Sequence, residues 1–276
     1  MERERSTLYW VVFYLVIAVA VIFFLFPVVY LFMTSFKSRL DIYVMPPKFL
    51  FVPTVQAWID AFTKKPLFHY FFNSMIVSFG TTIVSLVFGT LAAYALARFK
   101  IKGSKDISFF ILSIRMFPPI AAAIPIFLWM SKLGLLDTRF GLICAYTVFN
   151  LPFVVWMMRE FIVAIPEELE EAAMVDGLTR MQAFRKILLP LLRPSLVAVA
   201  IFCIIFSWSE FLFAFLLTQT EAKTMPVVIC EFITWREVTW EQVSAAGSAL
   251  IFPVLAFSFF VQKYLVRGLS FGAVKE

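Results

Sequence analysis

Six long stretches of this chain carry almost no charge, and that arrangement restricts it to folds that sit in lipid. Charge-free runs occupy Ser6–Phe36, His69–Ala97, Phe140–Met158, Pro194–Ser209 and Val243–Gln262, and Ile107–Met130 is broken only by Arg115. A helix needs about 20 apolar residues to cross the hydrocarbon. The 276 residues are 62% hydrophobic and 15% charged, against about 25% charged in a soluble domain. Strand-like alternation is absent, which argues against a barrel. The chain therefore reads as an all-α membrane protein, a single domain over residues 1–276. Its spans are expected near 8–36, 70–97, 107–130, 140–164, 194–219 and 243–264, the fifth counted whole despite Glu210. The first run is too long for a signal segment and no small-residue cleavage site follows it, so it reads as a retained span.

Several chemistries find no support in the residues. Cys144, Cys203 and Cys230 form no disulfide framework. The one histidine, His69, sits at a span edge and reads as an interfacial side chain. No His, Cys or carboxylate cluster has metal-ligand spacing, and no Gly-x-x-x-x-Gly-Lys-Ser/Thr phosphate loop is present. The chain is thus expected to hold no cofactor or metal of its own. Its charge of +6 points to topology rather than nucleic acid. With the amino terminus inside, fourteen of the 24 basic residues fall on the cytoplasmic side and nine outside, with Arg115 in the membrane. Both termini are then cytoplasmic. The first outer loop, with Pro46, Pro47, Pro53 and Pro66, can carry a short amphipathic helix around Trp58 and Phe62.

One polar island interrupts the lipid pattern, residues 166–190 between the fourth and fifth spans. Pro166 suits a first helical position, and Glu167 and Glu168 suit the positive end of the helix dipole. Leu169, Ala172 and Ala173 share helical spacing. Gly177 supplies a C-terminal stop, and Thr179-Arg180-Met181-Gln182 matches a capping box opening a second helix. Met181, Phe184 and Leu188 line one side of that helix, which Pro190 is expected to end. Local physics alone allows three readings: a helix–turn–helix module, a solvated loop, or a basic helix lying on anionic lipid.

Glu171-Ala172-Ala173, Gly177, Ile187, Leu189 and Pro190 together resemble the EAA loop of bacterial ATP-binding-cassette importer permeases. The tail Gln262–Lys275 is similar to that of carbohydrate-importer permeases of the six-span MalG type. So are Met116-Phe117-Pro118-Pro119 and Trp208-Ser209-Glu210-Phe211, although Asn commonly stands where Ser209 is. The resemblance implies an inner-membrane permease that hydrolyses no ATP itself and forms half of a pathway for a sugar, polyol or related solute. It implies a second, homologous permease, two ATPase subunits that bind ATP and Mg, and an extracytoplasmic solute-binding protein. It gives Glu171, Ala172, Ala173 and Gly177 the ATPase-coupling role. A permease for a non-sugar solute and a stand-alone secondary transporter are the alternatives; the second would need inverted repeats and a coupling-ion site.

Inside the membrane, Arg115 and Glu210 are costly and must face a cavity, a partner or another polar group. The pathway reading adds Trp208, whose ring can stack on a sugar, and Asn150 beside Pro152. The competing reading has Glu210 merely bonding a neighbouring helix. A direct Arg115–Glu210 pair is not expected, because the two lie towards opposite ends of their spans. Pro118, Pro119, Pro125 and Pro152 are expected to kink helices, and a kink with no ligand role is the commoner outcome.

Overall fold

The computed structural model describes the backbone of residues 7–270 and the side chains of residues 8–258. It is helical nearly throughout; among the described residues the only β pairing is an isolated antiparallel bridge between Ile233 and Val238. Four helices are long and apolar enough to cross a membrane, Leu8–Thr34, Leu67–Arg98, Arg139–Val163 and Trp240–Ser258, and two bent helix pairs raise the number to six if each pair is one crossing. Side chains of the tail Gln262–Lys275, and Arg3 and Arg5, lie outside the described residues.

One compact unit comprises residues up to Leu67 together with Ile229–Phe252. Its first helix, α1 (Thr7–Thr34), is apolar all round, and none of its most apolar stretch is buried. Such a helix needs lipid or another chain around it. The short α2 (Arg39–Ile42) starts where the Ser38 hydroxyl accepts the Asp41 N–H. The expected amphipathic helix is α3 (Gln56–Lys64), which buries Ala57 and Ala61. Its Trp58 indole donates to Ser35 Oγ at 3.1 Å and stacks on Phe62. Lys37 is only 2% exposed, its ammonium lying 4.8 Å from the centre of the Tyr30 ring and 5.4 Å from that of Phe51.

The second unit comprises Phe68–Val228 and the chain from Pro253. It is built on α4 (Leu67–Arg98), whose buried residues are mostly small over its middle (Asn73, Ser74, Val77, Ser78, Thr81 and Ser85) and include Tyr94 and Leu96 near its end. At Gly80 an added Cβ would lie 2.6 Å from Ile143, and at Gly89 it would lie 2.6 Å from Val154. Both partners belong to α7 (Arg139–Val163). Between membrane helices, where lipid is as apolar as leucine, such close backbone approach is what makes packing favourable. Two core clusters form along this seam. One joins Ala93 and Tyr94 of α4 to Val154, Met158 and Ile162 of α7; the other joins Val77 to Leu142, Ala145 and Tyr146.

Proline sets the breaks. Where a continuous span over 107–130 is expected, α5 (Ser104–Met116) and α6 (Pro119–Lys132) meet at 91°. Phe117 precedes a proline and is forced to an extended ψ of 130°, and Pro118 follows at 121°, so Pro119 starts a new helix rather than continuing the old one. Pro125 stays within α6, as Pro152 stays within α7.

Beyond α7 come α8 (Glu168–Val175) and α9 (Arg180–Ala183). A π turn over Phe184–Leu188 then leads into α10 (Leu189–Leu191). Pro190 therefore does not end this helix. The π turn absorbs it, since Leu189 N–H already reaches back to the Phe184 carbonyl. The chain turns by 74° at Leu192 instead, before α11 (Arg193–Trp208). The expected fifth span, 194–219, is interrupted after Trp208 and resumes as α12 (Leu212–Leu217). The remaining helices are α13 (Met225–Cys230) and α14 (Trp240–Ser270).

The loop after α12 is clasped by one carboxylate. Asp137, at φ +54°, accepts the backbone N–H groups of Gln219, Thr220, Glu221 and Ala222 at 3.0–3.2 Å, and the Thr220 hydroxyl at 2.9 Å. Partial burial pushes its pKa up, but the donors from Ala222, Gln219 and Glu221 outweigh this and hold it well below the ordinary carboxylate range. From α4, Asn73 Nδ2 donates to the Glu221 and Lys223 carbonyls at 2.7 and 2.9 Å, and Ser74 Oγ accepts the Met225 N–H at 2.9 Å.

Two outcomes follow from this packing. Gly89→Val should lower the thermal midpoint in detergent, because overpacking the α4–α7 seam costs about 1–3 kcal/mol; an unchanged midpoint would contradict the close approach. Asp137→Ala should speed hydrogen exchange at Gln219–Ala222 by roughly tenfold to a hundredfold, since hydrogen bonds to a charged group contribute about 1.5–3 kcal/mol. A depressed carboxyl pKa gives stability that is full above the unfolded value of about 4 and lost only as pH falls through the lower folded value. Acidification of the wild type from pH 7 to 5 should therefore leave the clasp intact, which the same exchange measurement reads.

Candidate functional site

Two places collect the residues singled out by the sequence, a polar hairpin and a cavity among the helices. The hairpin begins with α8, where Glu168, Glu170 and Glu171 occupy the first turn and favour the positive end of the helix dipole. The helix starts at Glu168, two residues later than Pro166 suggested. It ends in a full Schellman arrangement: Gly177 N–H donates to the Met174 carbonyl at 3.0 Å, and Leu178 N–H to the Ala173 carbonyl at 3.1 Å. Gly177 sits at φ +91°, where an L side chain is strained, although a Cβ there would meet nothing within 4 Å. The next helix is opened by the expected capping box, with Thr179 and Gln182 bonding reciprocally.

The register of α8 differs from the expected one. Glu170 and Ala173 are the buried residues, at 3% and 7% exposure. Leu169, Glu171 and Ala172 instead face outwards, and Val175 is 88% exposed. In the following segment Phe184 and Leu188 are buried as expected, whereas Met181 is exposed. The hairpin thus has an inner face packed on the helices and an outer face on which Glu171 and Ala172 stand among Leu169, Val175 and Met181.

A contact that sequence reasoning missed fastens the inner face. Arg98 Nε donates to Glu170 Oε1 at 2.6 Å, a guanidinium NH2 donates to the Ile165 carbonyl at 2.8 Å, and the Tyr94 hydroxyl donates to Glu170 Oε2 at 2.9 Å. The Arg98 and Glu170 side chains are 5% and 4% exposed. The signal in the sequence was the i, i+4 spacing of Tyr94 and Arg98 on the last turns of an apolar helix, where Arg98 reads simply as a flanking charge. Removing one partner of such a buried pair costs about 3–5 kcal/mol.

The cavity has a volume of about 250 Å³ and is lined by Arg115, Asn150, Ser209 and Glu210 together with Tyr146 and several phenylalanines. Three of the four residues proposed for a pathway therefore meet here. Trp208 does not: it is 3% exposed and packs edge-on against Phe71 at 5.5 Å. Arg115 and Glu210 share the cavity without an ion pair between them. The Arg115 guanidinium lies over the Phe153 and Phe206 rings, at 4.8 and 4.3 Å, and makes one long bond to the Phe149 carbonyl. Glu210 caps α12, accepting the Phe213 and Ala214 N–H groups at 2.9 and 3.2 Å. Asn150 donates to the Tyr146 carbonyl at 3.0 Å and to the Ser207 hydroxyl at 3.3 Å.

Comparison with known proteins identifies the family of the chain. Residues 85–271 match the model of the family described as "Binding-protein-dependent transport system inner membrane component". A probable ABC transporter permease of Sinorhizobium fredii is 36% identical over 99% of this chain and 98% of its own length. The trehalose/maltose transport system permease MalG of Thermococcus litoralis is 32% identical over 91% of each chain. Among solved structures, a chain of a bacterial ABC transporter involved in import of the acidic polysaccharide alginate superposes with a TM-score of 0.78 at 26% identity, covering 96% of this chain and 99% of that one.

The cap made by Glu210 is testable by itself. Glu210→Ala should lower the thermal midpoint by an amount corresponding to about 1–2 kcal/mol, and Glu210→Gln, which keeps an acceptor oxygen, by less. Equal midpoints for the two variants would show that the carboxylate does not hold α12.

Proposed function

The chain belongs to the binding-protein-dependent transport system inner membrane components, the permeases of ATP-binding-cassette importers, and from that premise we propose that it forms half of the membrane pathway for a sugar, polyol or related solute. The carbohydrate class is supported by the relatives, whose names specify trehalose, maltose and alginate. A second, homologous permease supplies the other half of the pathway. Two ATPase subunits bind ATP and Mg on the cytoplasmic side, an extracytoplasmic binding protein delivers the solute, and both termini lie in the cytoplasm.

The observation that carries this reading is the two-faced hairpin. Its inner face is fastened by a buried ion pair, and its outer face carries exposed apolar residues around Glu171 and Ala172 with the turn at Gly177 unobstructed. An outer face of that composition suits a cleft in a partner protein better than water. Glu171, Ala172 and Gly177 are then the residues that meet the ATPase, while Ala173 packs beneath them. Closure of the ATPase pair pulls the hairpin and rocks the helices from inward-facing to outward-facing. Arg115, Asn150 and Glu210 line the pathway, and the guanidinium and carboxylate supply donor and acceptor groups for a hydroxylated solute.

Gly177→Asp, which strains the turn and adds charge at its tip, should abolish uptake and the stimulation of ATP hydrolysis while the subunit remains in the membrane. Uptake assays and membrane fractionation read this together. Normal uptake by the variant would remove the coupling role.

A further inference from the structure

We propose that α4 is a rod that transmits hairpin movement to the loop at its far end, and that Glu170 is the positioning residue through which the hairpin grips it. The inference rests on the reading that the hairpin is the ATPase-docking element, and adds the route by which displacement leaves it.

Three observations converge on α4. First, among the described helices of 18 or more residues it is the one without an internal proline: α1 contains Pro27, α7 Pro152 and α14 Pro253. Proline removes a helical hydrogen bond and creates a bending point, and α4 is the one of the four without such a point. Second, both helices of the hairpin hold its last turns. Glu170 of α8 takes Arg98 on one carboxylate oxygen and Tyr94 on the other. From the next helix, Phe184 packs on the Tyr94 ring at 4.6 Å and the Arg180 guanidinium lies over Phe99 at 5.0 Å. Third, the opposite end of α4 is bonded to the segment after α12. Asn73 donates to two of its carbonyls, and Ser74 accepts the Met225 N–H.

From Asn73 to Arg98 a straight helix spans about 37 Å, comparable to the hydrocarbon thickness. The grip at Glu170 is of a kind that transmits force. Apolar contacts such as that of Ala173 let one surface slide over another, but charge-assisted hydrogen bonds to both carboxylate oxygens fix distance and direction together. Glu171 points away from α4 and contributes nothing to this grip.

The test uses the complete transporter in proteoliposomes, with Glu170→Gln and Tyr94→Phe compared with wild type. Two quantities are read: solute imported per ATP hydrolysed, and the change in hydrogen exchange at residues 219–225 between nucleotide-free and nucleotide-bound states. A variant that merely assembles poorly lowers import and stimulated hydrolysis together and leaves their ratio unchanged. Loss of the grip should lower the ratio at least about threefold, within the range by which residues between two sites alter their coupling, and should shrink the exchange change. Tyr94→Phe keeps the aromatic packing and decides the matter if Glu170→Gln does not assemble. Wild-type ratios and exchange changes in the assembled variants would overturn the rod. If Gly177→Asp uncouples while these variants do not, the docking role of the hairpin stands and the route through α4 falls. If wild-type complexes show no hairpin-dependent ATPase coupling, the docking reading itself fails.

Discussion

Everything in the second unit depends on how closely α4 can approach α7. Water drives no apolar helices together inside lipid, so contact has to come from backbone proximity and matched surfaces. Gly80 and Gly89 provide the proximity, since a methyl group at either position would overlap Ile143 or Val154. Both core clusters form along that seam, one beneath the hairpin and one beside the cavity. The α4–α7 packing therefore carries the hairpin and the polar cavity on one scaffold.

Polar chemistry in this molecule is concentrated where helices end or break. Asp137 and Glu210 each bond backbone N–H groups outside regular helical pairing, one in a loop and one at the start of α12. Glu170 spends its carboxylate on a different helix. In a low-dielectric setting each of these bonds resists disruption more than it would in water, and each fixes a segment that would otherwise be an irregular connection. Arg115 is treated differently: two aromatic faces steady its guanidinium at the edge of the cavity.

The broad architecture was legible from charge-free runs, and the hairpin from its caps, because Gly177 and Thr179 act through local backbone geometry that the residue type announces. Which carboxylate faces inwards was not. Glu170 and Glu171 differ by about 100° of helical rotation, and only the position of α4 tells them apart. The proline signals were half legible. Phe117-Pro118-Pro119 announced a break without its 91° angle, and Pro190 announced a stop that a π turn avoids by shifting the hydrogen-bond register. Trp208 looked like a sugar platform by residue type, but helical phase turned it towards Phe71 and left Asn150 and Glu210 at the cavity. Tyr146 escaped notice because a lone tyrosine in an apolar run carries no pattern.

The Schellman turn at Gly177 has an evolutionary corollary. The bend of the hairpin is specified by main-chain bonds, by Gly177 and the Thr179–Gln182 capping pair, and by side chains turned inwards, so the exposed Leu169, Glu171, Ala172 and Val175 are not required to shape it. Those residues can be rewritten without refolding the element that presents them. On the docking reading proposed above, a change in that outer face alters which motor subunit fits while the turn that presents it keeps its shape.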